Sequence, residues 1–345
     1  MSMIAEKKKA KVLILGAGLA GCTVANELAL NKVSVCLVDT AGRIGGKVRG
    51  YGCKATALCN KCGLCLAAGL WEKVESSPFI DIILTARLVD LLREDGKYRA
   101  FLKAGDFSAN KNILVEGLEK LVVASGFDQA DTGFVEYVDS PAIISGSDLE
   151  ALIRERKSSG IFKKPPASVA FIQCYGSRDR HEHSMYCSRV CCSYATRAAK
   201  LIKHFYPACR IVFFYMEMQM VEPGDYYQSM IDAGIEFIKC RPVKVKAGEL
   251  EGSPLISYEE PASGKRISES FDLLVLSNGI RPGFQAERIA DICGLAQDSA
   301  GFLRYVNADK PEVLLAGCAS GPKKIEETYN EALALAKSLL QGALS

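Results

Sequence analysis

No apolar run in this chain of 345 residues approaches the roughly 20 residues that a membrane-spanning helix needs, so no span is expected. Charge of one sign is also missing. The net charge is only +3, which gives no strong field for nucleic acid or an anionic membrane surface, and neither is expected as a partner. The densest basic stretch, "EKKK" at residues 6–9, reads as a solvated tail. The following "KVLIL" is too short for a signal-peptide core and runs straight into glycines, so a secretory leader is not expected either. Histidine is scarce, with three in the chain. Hydrophobic residues make up 49% and charged residues 24%, a globular composition with ample material for one large domain or two ordinary ones. The expected location is the cytoplasm.

Cysteine, by contrast, is plentiful at 14. In a large cytosolic chain such thiols are buried, metal-bound or catalytic more often than disulfide-paired. Cys22, Cys36, Cys209, Cys240, Cys293 and Cys318 stand alone and read as small core residues. The other eight fall into two clusters.

"AKVLILGAGLAGCTVANELALNKVSVCLVDT" reads as a strand, a glycine turn, a helix and a second strand that ends on an acid. Gly16 permits the tight turn, Gly18 lets the backbone approach a pyrophosphate, and Gly21 lets the helix pack close. The amides of Leu19, Ala20 and Gly21 then open a helix toward the phosphates. Asp39, 18 residues beyond Gly21, stands where an acid accepts ribose hydroxyls. Together these features predict a dinucleotide site.

The chain continues "AGRIGGKV", with Arg43, Gly45, Gly46 and Lys47 close behind the acid. That segment resembles the second glycine pair of flavoproteins with two dinucleotide-binding domains, where it supports FAD. "FDLLVLSNGIRPG", with Asn278 and Gly279, and "PEVLLAGCASGPKKIEETYNEALALA", with Gly317 and Cys318, resemble the late FAD segments of the same class. Members of that class carry Gly-Asp at the last turn, and here Gly317-Cys318 stands instead. The expected organisation is a discontinuous FAD domain, 1–148 and 270–345, around an inserted module at 149–269.

The module opens with "SGSDLEALIRERKSSG", a helix whose capping box is read as Ser147 with Glu150. From Ser168 the pattern repeats the N-terminal one: strand "VAFIQC", loop, helix, strand "RIVFFYME". A nicotinamide domain is expected at this place, yet its glycine turn is missing. Bulky residues at 173–177 argue against a second pyrophosphate. The intervening loop, "CYGSRDRHEHSMYCSRVCC", holds Cys174, Cys187, Cys191 and Cys192. Four converging thiolates suit a [4Fe–4S] cluster or a zinc ion, and the adjacent pair is unlike the CxxC ligands of structural zinc sites. His181 and His183 lie in the same loop as weaker ligand candidates.

These segments closely resemble the signature of the family of heterodisulfide reductase A-type subunits, as do "LLAGCASGPKKIEET" and "RIGGKV". The resemblance implies an α/β, thioredoxin-reductase-like fold with two dinucleotide-binding domains. It implies FAD, and a noncontiguous [4Fe–4S] cluster on those four cysteines where relatives bind nicotinamide. Long members carry ferredoxin-like C-x2-C-x2-C-x3-C-P runs, and this sequence has none. It therefore resembles the short flavoprotein core found in sulfur-oxidising heterodisulfide-reductase-like complexes. That similarity implies a homodimer, partner subunits of B and C type, and a lipoate-binding protein reached through the complex. Bifurcating relatives have a lysine near the flavin a few residues after the paired cysteines; Arg197 stands there and is a candidate for tuning the flavin.

"GCKATALCNKCGLCLAAG" supplies Cys53, Cys59, Cys62 and Cys65. Three readings stay open: a second cluster or metal site, a redox dithiol at Cys59 and Cys62, or structural thiols. The second would permit an NAD(P)H-dependent disulfide reductase. Zinc on the other four thiols would make the chain a non-catalytic scaffold.

Overall fold

The computed structural model describes residues 6–105, 111–129, 140–156, 158, 160–180, 184–219, 226–242, 244–247, 252–306 and 313–342. Its contacts divide the chain into two compact units. One comprises Met1–Arg49, Gly63–Asp128 and Arg281–Ser345; the other comprises Gly50–Cys62 and Gln129–Ile280.

The first unit is built on a parallel sheet in the order Val313–Leu315, Lys120–Val123, Val12–Leu15, Val35–Val38, Ile80–Ile83. The "VLIL" strand is buried at every position, as a strand covered on both faces must be. Alternate side chains serve two cores. Val12 and Ile14 pack on one side with Cys22, Val24 and Leu28 of the helix Leu19–Leu30 and with Ala332 and Ala336 of the helix Ile325–Gly342. Leu13 and Leu15 pack on the other side with Ala100, Leu102 and Val115 of a four-stranded sheet.

That second sheet corrects the reading of "EKKK". Glu6–Lys9 is a strand, paired in parallel with Lys111–Leu118, rather than a solvated tail. The lysines alternate between half-buried and exposed, and Lys8 reaches Asp81 at 2.6 Å. A ladder of backbone hydrogen bonds and this ion pair override the poor strand propensity of lysine.

The second unit repeats the plan. Its parallel sheet runs Ile143–Ser145, Leu273–Asn278, Ser168–Tyr175, Arg210–Phe214, Ile235–Ile238. Val169 and Phe171 face the helices Gly146–Glu155 and Cys191–Phe205. Ala170 and Ile172 face a three-stranded antiparallel layer through Val245, Ile256 and Tyr258.

The borders of the units differ from the expected 149–269 module. Leu273–Asn278 is hydrogen-bonded between two strands of the second sheet, so the chain up to Ile280 belongs there. Gly50–Cys62 joins the same unit. The capping box is also displaced: the N-cap is Ser145 and its reciprocal partner is Asp148, not Ser147 and Glu150. Both pairs satisfy the same spacing rule, and Glu150 is withdrawn from the cap because it is buried against Lys54.

Candidate functional site

The glycine turn of the first unit is shaped by three different constraints. Gly16 sits at φ +109, and a β-carbon there would lie 2.2 Å from the Ala124 carbonyl oxygen. At Gly21 a β-carbon would lie 1.8 Å from the Gly16 oxygen. At Gly18 nothing stands within 4 Å, so the space beside it is open. Gly18 is the N-cap of the helix Leu19–Leu30, without a side-chain cap and without an acid in the first turn. Leu19 and Ala20 bury their side chains and present backbone to that space. The first intrahelical bond runs from Cys22 N–H to the Gly18 oxygen, so the preceding amides point out of the helix end. This is an anion site built from backbone.

Asp39 closes the turn. Its carboxylate accepts from Ala17 N at 2.6 Å and from Ala41 N at 2.8 Å, which leaves further lone pairs for ribose hydroxyls. Gly45 N donates to the Ala17 oxygen at 2.7 Å, and a β-carbon on Gly46 would lie 3.0 Å from the Gly18 Cα. The second glycine pair is therefore laid directly against the first. Arg43 and Lys47 are exposed, and Lys47 reaches Asp128 at 3.3 Å.

Gly317, at φ +65, packs on the same helix start: its β-carbon would lie 2.9 Å from Ala20 Cβ. Where related flavoproteins were expected to place an acid, Cys318 is buried, donates to the Lys323 oxygen at 3.6 Å, and is pushed up by burial. A carboxylate arrives from another element instead. Glu331 accepts from Gly317 N at 2.7 Å, and Lys323 Nζ donates to the Gly317 oxygen at 2.7 Å. Nothing in the local sequence marks that substitution. The open space at Gly18, the free helix amides and the two glycine contacts form a cradle that fits the pyrophosphate of FAD.

The second unit has a different corner at the matching place. Cys174 lies in a register shift of the Ser168–Tyr175 strand, between Ile172 and Tyr175, and takes φ +60. Arg178 and Arg189 in the same loop also have positive φ. Such strain in non-glycine residues persists only where the surroundings hold it, and here they do. Arg178 N donates to Tyr186 O, Asp179 and Ser184 exchange two hydrogen bonds, and the Ser177 and Ser188 hydroxyls meet at 2.9 Å. Cys187 accepts from Arg189 N at 3.3 Å, and Cys191 and Cys192 open the helix Cys191–Phe205.

Asn278 and Gly279, expected as FAD contacts, are placed in this corner. Asn278 accepts from Gly146 N through its side chain and from the Cys191 thiol through its carbonyl. Gly279 has no room for a β-carbon, which would lie 2.7 Å from Ser177 Oγ.

The four thiols feel one another. Burial pushes the Cys191 thiol well up, and Cys174, Cys192 and Cys187 add to the shift. Burial pushes Cys192 up to about 11, again with contributions from Cys174 and Cys187. Cys174 is also raised by burial, against which the Arg178 guanidinium, hydrogen-bonded to it, and Arg241 act. Arg178 was not singled out in the sequence, where it reads as one more charge in a polar loop. Gln173 Oε1, Arg178 Nη1 and Ser193 Oγ are buried beside the cysteines without a hydrogen-bond partner. Among the described residues no three His, Cys, Asp or Glu side chains are gathered so as to hold a metal ion. A zinc ion requires sulfurs about 2.3 Å from one point. Each thiolate of a [4Fe–4S] cubane binds its own iron, so the cluster spreads its ligands more widely. The buried thiols, the two arginines and the unpartnered polar atoms suit that larger anionic group. His181 and His183 lie outside the described residues.

In the remaining segment Cys53, Cys59 and Cys65 are exposed, Cys62 is half-buried, and all fourteen cysteines of the chain are free thiols. Arg197 is placed against this segment. Its Nε donates to Asn60 O at 2.8 Å and its Nη2 to Lys61 O at 3.1 Å, so a guanidinium expected at the flavin is hydrogen-bonded to the loop between Cys59 and Cys62. Lys54, unremarked in the sequence, forms a buried ion pair at 2.6 Å with Glu150, which the sequence offered only as a capping residue.

Comparisons with known proteins bear on the fold and the family. A model of the NAD(P)-binding Rossmann-like domain matches residues 14–59. The A-type subunit of the Ferredoxin:CoB-CoM heterodisulfide reductase of Methanosarcina mazei is 27% identical over 99% of this chain and 54% of its own length. An iron-sulfur A-type subunit of the CoB–CoM heterodisulfide reductase of Methanopyrus kandleri is 32% identical over 67% of this chain and 38% of its own. The chain thus spans about half the length of the first relative and less of the second. Among solved structures, the thioredoxin reductase of T. acidophilum matches with a TM-score of 0.64 at 16% identity, covering 98% of this chain and all of that one. The flavoprotein disulfide reductase RclA from Escherichia coli matches at 0.63 and 15%, covering 97% and 72%. The fold is that of the two-domain, thioredoxin-reductase-like flavoproteins, and the chain belongs to the family of heterodisulfide reductase A-type subunits.

Proposed function

We propose that this chain is an oxidoreductase component that holds FAD and a [4Fe–4S] cluster and passes electrons between the flavin and partner subunits of a heterodisulfide-reductase-like complex. The observation that carries the reading is the cysteine corner: four thiols within one another's field, at the strand end and helix start where the other unit has its pyrophosphate turn. FAD exchanges electrons singly or in pairs, and an iron–sulfur cluster exchanges them one at a time.

The chain's own residues supply binding and surroundings. Gly16, Gly18 and Gly21 with the amides of Leu19 and Ala20 cradle the diphosphate. Asp39 accepts from ribose, while Arg43, Gly45, Gly46 and Lys47 wall the far side and Gly317-Cys318 closes the helix start. Cys174, Cys187, Cys191 and Cys192 would hold the cluster. Burial disfavours the thiolates of Cys174, Cys191 and Cys192 in the metal-free chain, so cluster uptake must release protons. Arg178 and Arg241 offset negative charge at that site.

The same reading assigns the complex to sulfur-compound oxidation, with a homodimeric flavoprotein, subunits of B and C type, and a lipoate-bound substrate. That the relatives are subunits of heterodisulfide reductases supports a multisubunit reductase complex. Among the described residues no helix is long and apolar enough to cross a membrane. The test is Cys187→Ser purified without oxygen: iron falls to a small fraction of wild type while FAD is kept. Loss of FAD together with iron, or retention of both, contradicts the assignment.

A further inference from the structure

The loop that carries Cys59 and Cys62 combines a fixed backbone with accessible sulfurs. Arg197, 9% exposed, donates to both carbonyls between the two cysteines. Asn60 Nδ2 donates back to Lys54 O at 2.6 Å. Lys54, 4% exposed, is held by Glu150 and by the Gly52 carbonyl, and Gly52 N also donates to Glu150. Gly52 itself is pressed on the helix Gly146–Glu155: a β-carbon there would lie 2.5 Å from Arg154 N. Lys61 turns the chain with φ +46 and aims its N–H at the Cys59 sulfur, 3.4 Å away.

Free cysteines are usually buried as small apolar side chains. Cys22, Cys36, Cys174, Cys191, Cys192, Cys209 and Cys318 of this chain follow that rule. Cys59 does not: it is exposed, Cys62 is half-buried, and the frame around them is the buried part. A loop whose purpose was packing would bury the sulfurs and leave the lysine and glutamate in water. Here an ion pair and a guanidinium are desolvated, which is unfavourable in itself, and the result is a fixed turn with two presented thiols.

We propose that Cys59 and Cys62 form a thiol–disulfide exchange site for an organic disulfide, with Arg197 as the positioning residue of the loop. Cys59 is the attacking thiol, since it is exposed and its sulfur receives a backbone N–H. The Cys59 thiolate attacks one sulfur of RS–SR′; that bond breaks, R′S⁻ leaves with the electron pair, and a Cys59–SR mixed disulfide forms. Cys62 thiolate then attacks the Cys59 sulfur and releases RS⁻. The dithiol has lost two electrons and two protons, and the partner disulfide has gained both. Arg197 lies on the helix that begins with Cys191 and Cys192, so one rigid element carries two candidate cluster ligands and the clamp of the exchange loop. The site does not depend on what the four cluster cysteines bind.

The test uses the full chain, purified without oxygen, equilibrated over graded ratios of oxidised to reduced glutathione, quenched, alkylated and mapped by peptide mass spectrometry. The expected result is a Cys59–Cys62 linked peptide that rises in a single transition. Cys62→Ser accumulates glutathione on Cys59, and Cys59→Ser leaves Cys62 unmodified at the same ratios. In a time course at one fixed ratio, Arg197→Gln slows linkage by about tenfold or more, with Arg197→Lys intermediate and FAD content unchanged in both. No Cys59–Cys62 linkage at any ratio, linkage of Cys59 to Cys53 or Cys65, or zinc bound to the loop overturns the exchange site. Wild-type rates in Arg197→Gln overturn the positioning role, and Cys59→Ser and Cys62→Ser test the site even if the arginine variants fail to fold.

Discussion

The β-carbon that Gly21 lacks would stand 1.8 Å from the carbonyl oxygen of Gly16, whereas one on Gly18 would meet nothing within 4 Å. The two glycines of one motif therefore answer to different masters: Gly21 to the fold, Gly18 to the ligand. Gly18→Val is expected to fold with only a small loss, about 1 kcal/mol or less, at the helix N-cap in the flavin-free form, and to lose most of its FAD. Gly21→Val is expected to be insoluble or strongly destabilised. Flavin absorbance per chain and urea unfolding of each variant distinguish the cases. FAD at wild-type occupancy in Gly18→Val contradicts the cradle.

Lys54 and Glu150 make the most deeply buried ion pair described, with side chains 5% and 9% exposed at 2.6 Å. Removing one partner leaves an uncompensated buried charge. Glu150→Ala is expected to destabilise by about 3–5 kcal/mol, and the double change Lys54→Met with Glu150→Leu to recover most of that loss. Urea midpoints of the single and double variants measure it. Equal losses in both show that the charges themselves matter little.

How much of this was legible in the residues depends on how local each signal is. The glycine turn, the strand before it and the acid after it lie within one short stretch, so spacing alone reveals them. The four cysteines are similarly local. Arg197 was visible as a cation after the paired cysteines, but its partners Asn60 and Lys61 are 137 and 136 residues away, and no pattern announces that pairing. Asn278 closes an apolar strand in a way that suits either unit, and only the hydrogen bonds of Leu273–Asn278 decide for the second. The lysines of residues 7–9 form a strand through partners at 114–116, which lie far along the chain.

Arg178 shares the field of Cys174 and bonds to it. Hydrogen bonds and nearby positive charge are among the levers that set a cluster's potential. Arg178→Gln is expected to keep the iron while lowering the reduction potential of the site, since a positive charge favours the more negative, reduced form. A spectroscopic redox titration of both proteins checks the direction. An unchanged or raised potential removes Arg178 from the account.

Alkaline pH should destabilise the protein through buried thiols outside the two cysteine clusters. Burial pushes Cys22, Cys36 and Cys293 up to about 12 from an ordinary value near 9. The folded chain then holds protons that the unfolded chain releases. The stabilisation is fully present below about pH 9 and is lost as pH rises toward 12, by about 1.4 kcal/mol per pH unit for each thiol. Urea midpoints at pH 8 and pH 10.5 test this, and Cys36→Ala should show a shallower decline than wild type.

The central claim is that the corner formed by Cys174, Cys187, Cys191 and Cys192 holds iron and sulfide in a chain whose other unit binds FAD. Iron, zinc, acid-labile sulfide and flavin should be quantified on protein purified without oxygen, together with the visible spectrum before and after dithionite. The account predicts about four irons and four sulfides with one FAD per chain, and bleaching beyond the flavin bands. One zinc with FAD and no iron, before and after anaerobic reconstitution with iron and sulfide, would contradict it.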